Sequence, residues 1–63
     1  MTLKIIIDLG NAAFSDGNSG REVARILRDI ADRNEDADYK EGDGFRLVDI
    51  NGNKVGHLGV IRS

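Results

Sequence analysis

Asn51-Gly52 lies between two apolar-rich runs, Phe45-Arg46-Leu47-Val48-Asp49-Ile50 and Lys54-Val55-Gly56-His57-Leu58-Gly59-Val60-Ile61, and no other feature of the chain constrains the fold as tightly. Asn-Gly accepts the positive φ angles of a tight turn, and strand-like runs on both sides make it the strongest short-range hairpin signal. A two-residue turn sets Asp49 opposite Lys54 and Phe45 opposite Leu58. A type I turn followed by a Gly bulge shifts the register by one residue. The sequence leaves both open.

The N-terminal half supplies what the hairpin packs on. Leu3, Ile5, Ile7 and Leu9 alternate with Thr2, Lys4, Ile6 and Asp8, a period of two that predicts a first strand over residues 2–8. Ala12, Ala13 and Phe14 form a short connector with Phe14 plugging the core edge, and Asp16-Gly17-Asn18 is turn chemistry. Ser19 followed by Glu22 reads as a capping box that opens a helix. Val23, Ala24, Ile26, Leu27, Ile30 and Ala31 then form one apolar stripe, and the helix ends near Asn34. The order β-α-β-β makes this an α+β domain occupying residues 1–63, with one helix on one face of a three-stranded, mainly antiparallel sheet. We expect the order 1-3-2, with the third strand central; a right-handed crossover placing the first strand parallel to the second is the alternative. Ile6, Val48, Ile50 and Val55 are expected on the face away from the helix, as a candidate association patch.

At 63 residues, folding removes only about 60% of the unfolded surface from water. Below roughly 70–80 residues natural domains usually add disulfides, a metal or a partner. The chain has no cysteine, which excludes disulfides and thiolate metal sites and favours a reducing, cytoplasmic setting. The apolar run near Met1 is broken by Asp8 and lacks a small-residue cleavage pattern, so no secretory leader is expected, and no stretch reaches membrane-spanning length.

Charge is unevenly distributed. Residues 29–43 hold Asp29, Asp32, Glu35, Asp36, Asp38, Glu41 and Asp43 against Arg33 and Lys40, a net −5, while the rest of the chain carries +3. On the helix, Arg21, Arg25 and Arg28 precede Asp29, Asp32 and Glu35, the reverse of what the helix dipole favours. The i,i+4 pairs Arg25–Asp29, Arg28–Asp32 and Asp29–Arg33 are expected to recover part of that cost. An acidic loop then runs over residues 35–44.

His57 is the one histidine and stands between glycines, with no cysteine and only loop or terminal serines, so no catalytic triad can be built and no enzyme is expected. Asp32-x-Asn34-x-Asp36 with Asp43 has the spacing of a Ca²⁺ loop, but Ala37 stands where the sharp turn needs glycine and Asp43 replaces the bidentate glutamate. Gly17-Asn18-Ser19-Gly20 lacks the lysine of a phosphate loop. With a pI near 5.1, direct nucleic-acid binding through the arginines is not expected. No cofactor or metal is assigned.

The segments Ile5-Ile6-Ile7-Asp8-Leu9-Gly10-Asn11-Ala12-Ala13-Phe14, Gly20-Arg21-Glu22-Val23-Ala24-Arg25-Ile26-Leu27-Arg28 and Asp49-Ile50-Asn51-Gly52-Asn53-Lys54-Val55-Gly56 resemble short bacteriophage and prophage proteins over most of the chain. Some phage proteins of this size and acidity are anti-CRISPR inhibitors, which block the nucleic-acid groove of a host defence complex, in some cases by imitating the charge of DNA. The resemblance implies a small acidic inhibitor acting in the cytoplasm of an infected bacterium on a protein or ribonucleoprotein complex with a basic groove. Asp29, Asp32, Glu35, Asp36, Asp38, Glu41 and Asp43 would form its partner-binding surface, on a monomer or weak dimer with no membrane partner. A small assembly protein that self-associates through its sheet, and a Ca²⁺-binding loop protein, are the alternative expectations.

Overall fold

The computed structural model describes residues 1–62. Strand β1 (Thr2–Ile7) leads through a 3-10 turn (Ala12–Phe14) into helix α1 (Ser19–Asn34), and strands β2 (Gly44–Val48) and β3 (Lys54–Ile61) follow. The sheet has the order β1-β3-β2, with both pairings antiparallel. This is the α+β arrangement expected from the sequence, with the last strand at the centre.

The loops are held by short polar side chains. β1 stops where Asp8 donates its amide to the Val55 carbonyl at 2.7 Å while its Oδ1 accepts from the Gly10 amide at 2.8 Å, a local turn that competes with continued pairing. Asn11 Oδ1 accepts from the Ala13 amide at 3.0 Å and the Ser15 hydroxyl donates to the Ala12 carbonyl at 2.7 Å. These bonds tie off the 3-10 turn and hold Phe14 in the core. Phe14, Ile26, Leu47, Val55 and Leu58 form the central cluster, with Val23, Ile30 and Phe45 packed against it.

The hairpin combines both of the registers that the sequence left open. The Gly52 amide donates to the Asp49 carbonyl at 3.0 Å, the Asp49 amide donates to the Asn53 carbonyl at 2.8 Å, and Gly52 has φ +85°. That is a type I turn closed by a glycine in the left-handed region, which shifts the register by one and sets Val48, not Asp49, opposite Lys54. A bulge then restores it: between Leu47 and Val48 the partner strand advances two residues, so Leu47 faces Gly56 and Phe45 faces Leu58. Val55 is the extra residue. The kink turns it into the core cluster, which corrects its expected place on the far face. Gly56 is required beside it, because a Cβ there would lie 2.0 Å from the Ile6 carbonyl oxygen.

The expected apolar patch on the far face is therefore broken up. Ile6 and Val48 remain exposed, but His57 and Arg46 stand in the same cross-strand row as Ile6, and Ile50 belongs to the turn. The apolar stripe of α1 is also narrower than its periodicity suggested. Ile26 is buried and Val23 and Ile30 are half-buried, whereas Leu27 and Ala31 are exposed. The helix covers the sheet incompletely, and Leu3 and Ile5 of β1 stay exposed as well.

Candidate functional site

The acidic residues separate into two populations once their partners are traced. Glu22 and Asp49 are the buried polar residues among those described, with 7% and 2% of their surface exposed. Glu22 does not close the expected capping box: α1 begins at Ser19, its N-cap is Asn18, and no side chain caps the first turn. Glu22 Oε2 instead accepts from the Ile50 amide at 2.9 Å, and Oε1 pairs with Arg25 Nε. The physical reason is that the Ile50 amide sits half-buried in the hairpin turn, where an unmade hydrogen bond costs more than one at a solvated helix end. Arg25 also donates to the Val48 carbonyl at 3.2 Å, so it bridges the helix to the outer edge of β2.

Asp49 Oδ1 accepts from the amides of Asn51 and Asn53 at 2.8 and 2.9 Å, and Oδ2 meets Asn53 Nδ2 at 3.4 Å. The Arg25 hydrogen bond, aided by the Ile50 amide and the Arg25 charge, outweighs burial and holds the Glu22 carboxyl below its usual range. Burial pushes Asp49 up, but the bonds from Asn53 and Asn51 together with the Arg25 charge more than offset it, and its carboxyl also lies low. Arg25 is held above its usual value, chiefly by the Glu22 hydrogen bond. These residues form a structural staple between α1 and the hairpin, which sequence reasoning missed. The signal available was Asp49 standing two and four residues before Asn51 and Asn53, a spacing that lets one carboxylate collect the amides of a turn.

The seven acids expected to bind a partner divide again. Asp29 pairs with Arg33 at 3.0 Å, as expected, and Glu41 pairs with Arg62 at 3.1 Å. Asp43 accepts from the Lys40 amide at 2.9 Å, while its backbone extends the β2–β3 ladder by accepting from the Val60 amide at 2.8 Å. The other expected helix pairs do not form: Arg25 is taken by Glu22, and Arg28 and Asp32 share no ion pair among the described residues. Asp32, Glu35, Asp36 and Asp38 are exposed, with no side-chain hydrogen bond or ion pair among the described residues. Asp32, Glu35 and Asp36 follow the i, i+3, i+4 spacing of one helix face, and α1 ends at Asn34 with Glu35 as its C-cap. Their charge adds to the negative end of the helix dipole.

The structure corrects the Ca²⁺ expectation. Asp32 and Asn34 are part of α1, where residues two apart point about 200° away from each other and cannot wrap one ion. Asn34 Nδ2 donates to the Ile30 carbonyl at 2.8 Å, and no group of three or more potential ligands is gathered among the described residues. His57 lies over the glycine pair Gly44 and Gly59, where added Cβ atoms would come within 3.2 and 3.3 Å of its Nε2. At the other end of α1, an open groove of about 400 Å³ is lined by Arg21, Arg25, Arg28, Glu22 and Asn18 with Ala13 and Ile50. Arg21 and Arg28 have no acidic partner among the described residues. The helix thus carries free cations near its start and free carboxylates at its end.

No helix among the described residues is long and apolar enough to cross a membrane. Comparison with family models, curated proteins and solved structures finds no match to this chain.

Proposed function

We propose that this protein is a non-enzymatic binding module that docks the acidic end of α1 and the segment after it onto a basic protein surface, one that otherwise holds nucleic acid. The observation that carries the reading is the absence of partners on Asp32, Glu35, Asp36 and Asp38, in a chain whose buried acids are all engaged. Carboxylates concentrated at a negative helix end repel one another and lower stability, so their placement favours a role outside folding. Exposed like charges at close spacing offer a Lys/Arg-lined groove the field that a phosphate backbone would, and they accelerate encounter with it. An inhibitor acting by nucleic-acid mimicry, the role implied by the resemblance to small phage proteins, is the specific form of this proposal.

The test is capture from bacterial lysate with the wild-type chain and with a variant carrying Asp32→Lys, Asp36→Lys and Asp38→Lys, at low and moderate salt and with added duplex DNA. The expected result is a nucleic-acid-binding partner retained by the wild type, lost by the folded variant, weakened by salt and displaced by DNA. Equal recovery by both chains, or recovery insensitive to DNA, overturns the reading.

A further inference from the structure

The two edges of the sheet are not equally protected. On the β2 side the Arg25 guanidinium occupies the outward Val48 carbonyl and Arg46 stands exposed in mid-strand, two ordinary devices against strand addition. β1 also carries an exposed mid-strand base, Lys4, but among the described residues no side chain occupies its outward carbonyls. It pairs with β3 alone, and because the Asp8 amide turns inward to Val55, strand alternation turns the amides and carbonyls of Leu3, Ile5 and Ile7 outward. Exposed apolar side chains flank that open edge on both faces: Leu3 is 41% and Ile5 37% exposed on the helix side, Leu27 of α1 is 43% exposed, and on the other face Ile6, beside Lys4, is 54% exposed.

We propose that a second copy of this chain pairs with β1 across a two-fold axis at Ile6, making a continuous six-stranded antiparallel sheet. Charge selects both the occupant and the register. β1 carries one base, Lys4, and is followed by one acid, Asp8, two residues to either side of Ile6. Ile6, Asp8 and His57 line one shallow depression, and strand alternation puts Lys4 on that same face. Antiparallel pairing centred on Ile6 sets Lys4 of each copy directly opposite Asp8 of the other, with Ile6 against Ile6 between them. It also sets Ile5 opposite Ile7, residues whose main-chain groups already point outward, so the two exchange both hydrogen bonds. Centring on Ile5 instead leaves Lys4 facing Ile6 and loses the direct charge match. Asp8 Oδ1 is held by the Gly10 amide, which fixes the carboxylate while leaving Oδ2 for the lysine. The acidic helix end is not part of this edge, so the pairing is independent of the function proposed above.

The chain has no cysteine, so single substitutions report the register by disulfide formation. Under mild oxidation, Ile6→Cys is expected to cross-link at least about tenfold faster than Ile5→Cys and than Ile50→Cys, an exposed turn position serving as the collision control, because directly facing residues bring their Cβ atoms within bonding reach. In sedimentation equilibrium the wild type is expected to dimerise with concentration. Lys4→Glu and Asp8→Lys should each weaken the dimer about tenfold, and the double exchange should restore it to within about threefold, with thermal melts confirming that each variant is folded. Faster cross-linking at Ile5 or Ile50, a wild type that stays monomeric up to about 1 mM, or a double exchange no better than its single parents overturns the proposal.

Discussion

The two ends of α1 carry the same kind of side chain to opposite effect. Near the start, Glu22 lies against the hairpin and, with Asp49, accepts from the amides of Ile50, Asn51 and Asn53. Near the end, Asp32, Glu35, Asp36 and Asp38 have no such amides beside them and stay in solvent. What separates the two groups is the nearby backbone, not the local density of charge. A carboxylate close to the orphaned, partly buried N–H groups of a turn becomes part of the fold, whereas a run of carboxylates on a solvated helix end contributes field and no structure.

The largest test of this contrast is Asp49→Ala. It removes the acceptor for two turn amides and a carboxylate whose charge favours the nearby Arg25, in a domain whose small core leaves little reserve. The melting temperature should fall by roughly 10 °C or more, with Asp49→Asn milder because its carbonyl oxygen can still accept from both amides. Thermal melts followed by circular dichroism decide it. An alanine variant as stable as the wild type would remove Asp49 from the staple and undo the comparison.

Next in size is Glu22. Glu22→Ala should lose about 2 kcal/mol in urea unfolding, because the Ile50 amide and Arg25 both lose their partner. Glu22→Gln keeps an acceptor for Ile50 and should lose about half as much. The two also differ in their dependence on pH. Glu22 and Asp49 titrate below their ordinary values of 4.5 and 3.8 in the folded protein, so the unfolded chain binds more protons in that window. Their contribution is therefore complete above the ordinary values and drains away as pH falls through the lowered ones. Stability measured from pH 7 to pH 2.5 should decline below about pH 5 in the wild type and less steeply in Glu22→Gln. Parallel curves would mean that the ion pair adds nothing beyond its hydrogen bonds.

The parts of this architecture that follow from local pattern were legible in the sequence. The alternation in β1, the helix periodicity and Asn51-Gly52 were sufficient to place the strands and the helix, whereas the central position of β3 was the expected one of two topologies and is decided by the antiparallel pairing of β1 with β3. What was hidden depends on contacts between elements. Ser19 and Glu22 satisfy the spacing of a capping box, and nothing local reveals that the Ile50 amide, in a distant turn, competes for the carboxylate and wins. Val55 reads as an outward residue because a bulge one step away cannot be seen in a period-two pattern. The acidic cluster was legible as composition, but only the structure distinguishes Asp29, Glu41 and Asp43, which have partners, from the four acids that do not. The Ca²⁺ spacing misled for the opposite reason: Asp32-x-Asn34 is a ligand pattern in a loop and a dispersed pair in a helix.

The smallest expected effect on folding belongs to the surface with the largest proposed role. Changing Asp32, Asp36 and Asp38 together to lysine removes no hydrogen bond or ion pair found among the described residues. It also replaces repelling carboxylates near the negative end of the helix dipole with charges which that dipole favours. Urea unfolding should therefore show a stability unchanged or raised by about 0.5 kcal/mol, and the gain should shrink in high salt as the field is screened. A loss of more than about 1 kcal/mol would mean that these carboxylates hold the helix end in place. The contrast between the two ends of α1 would then collapse, since both would serve the fold and neither would be left to serve a partner.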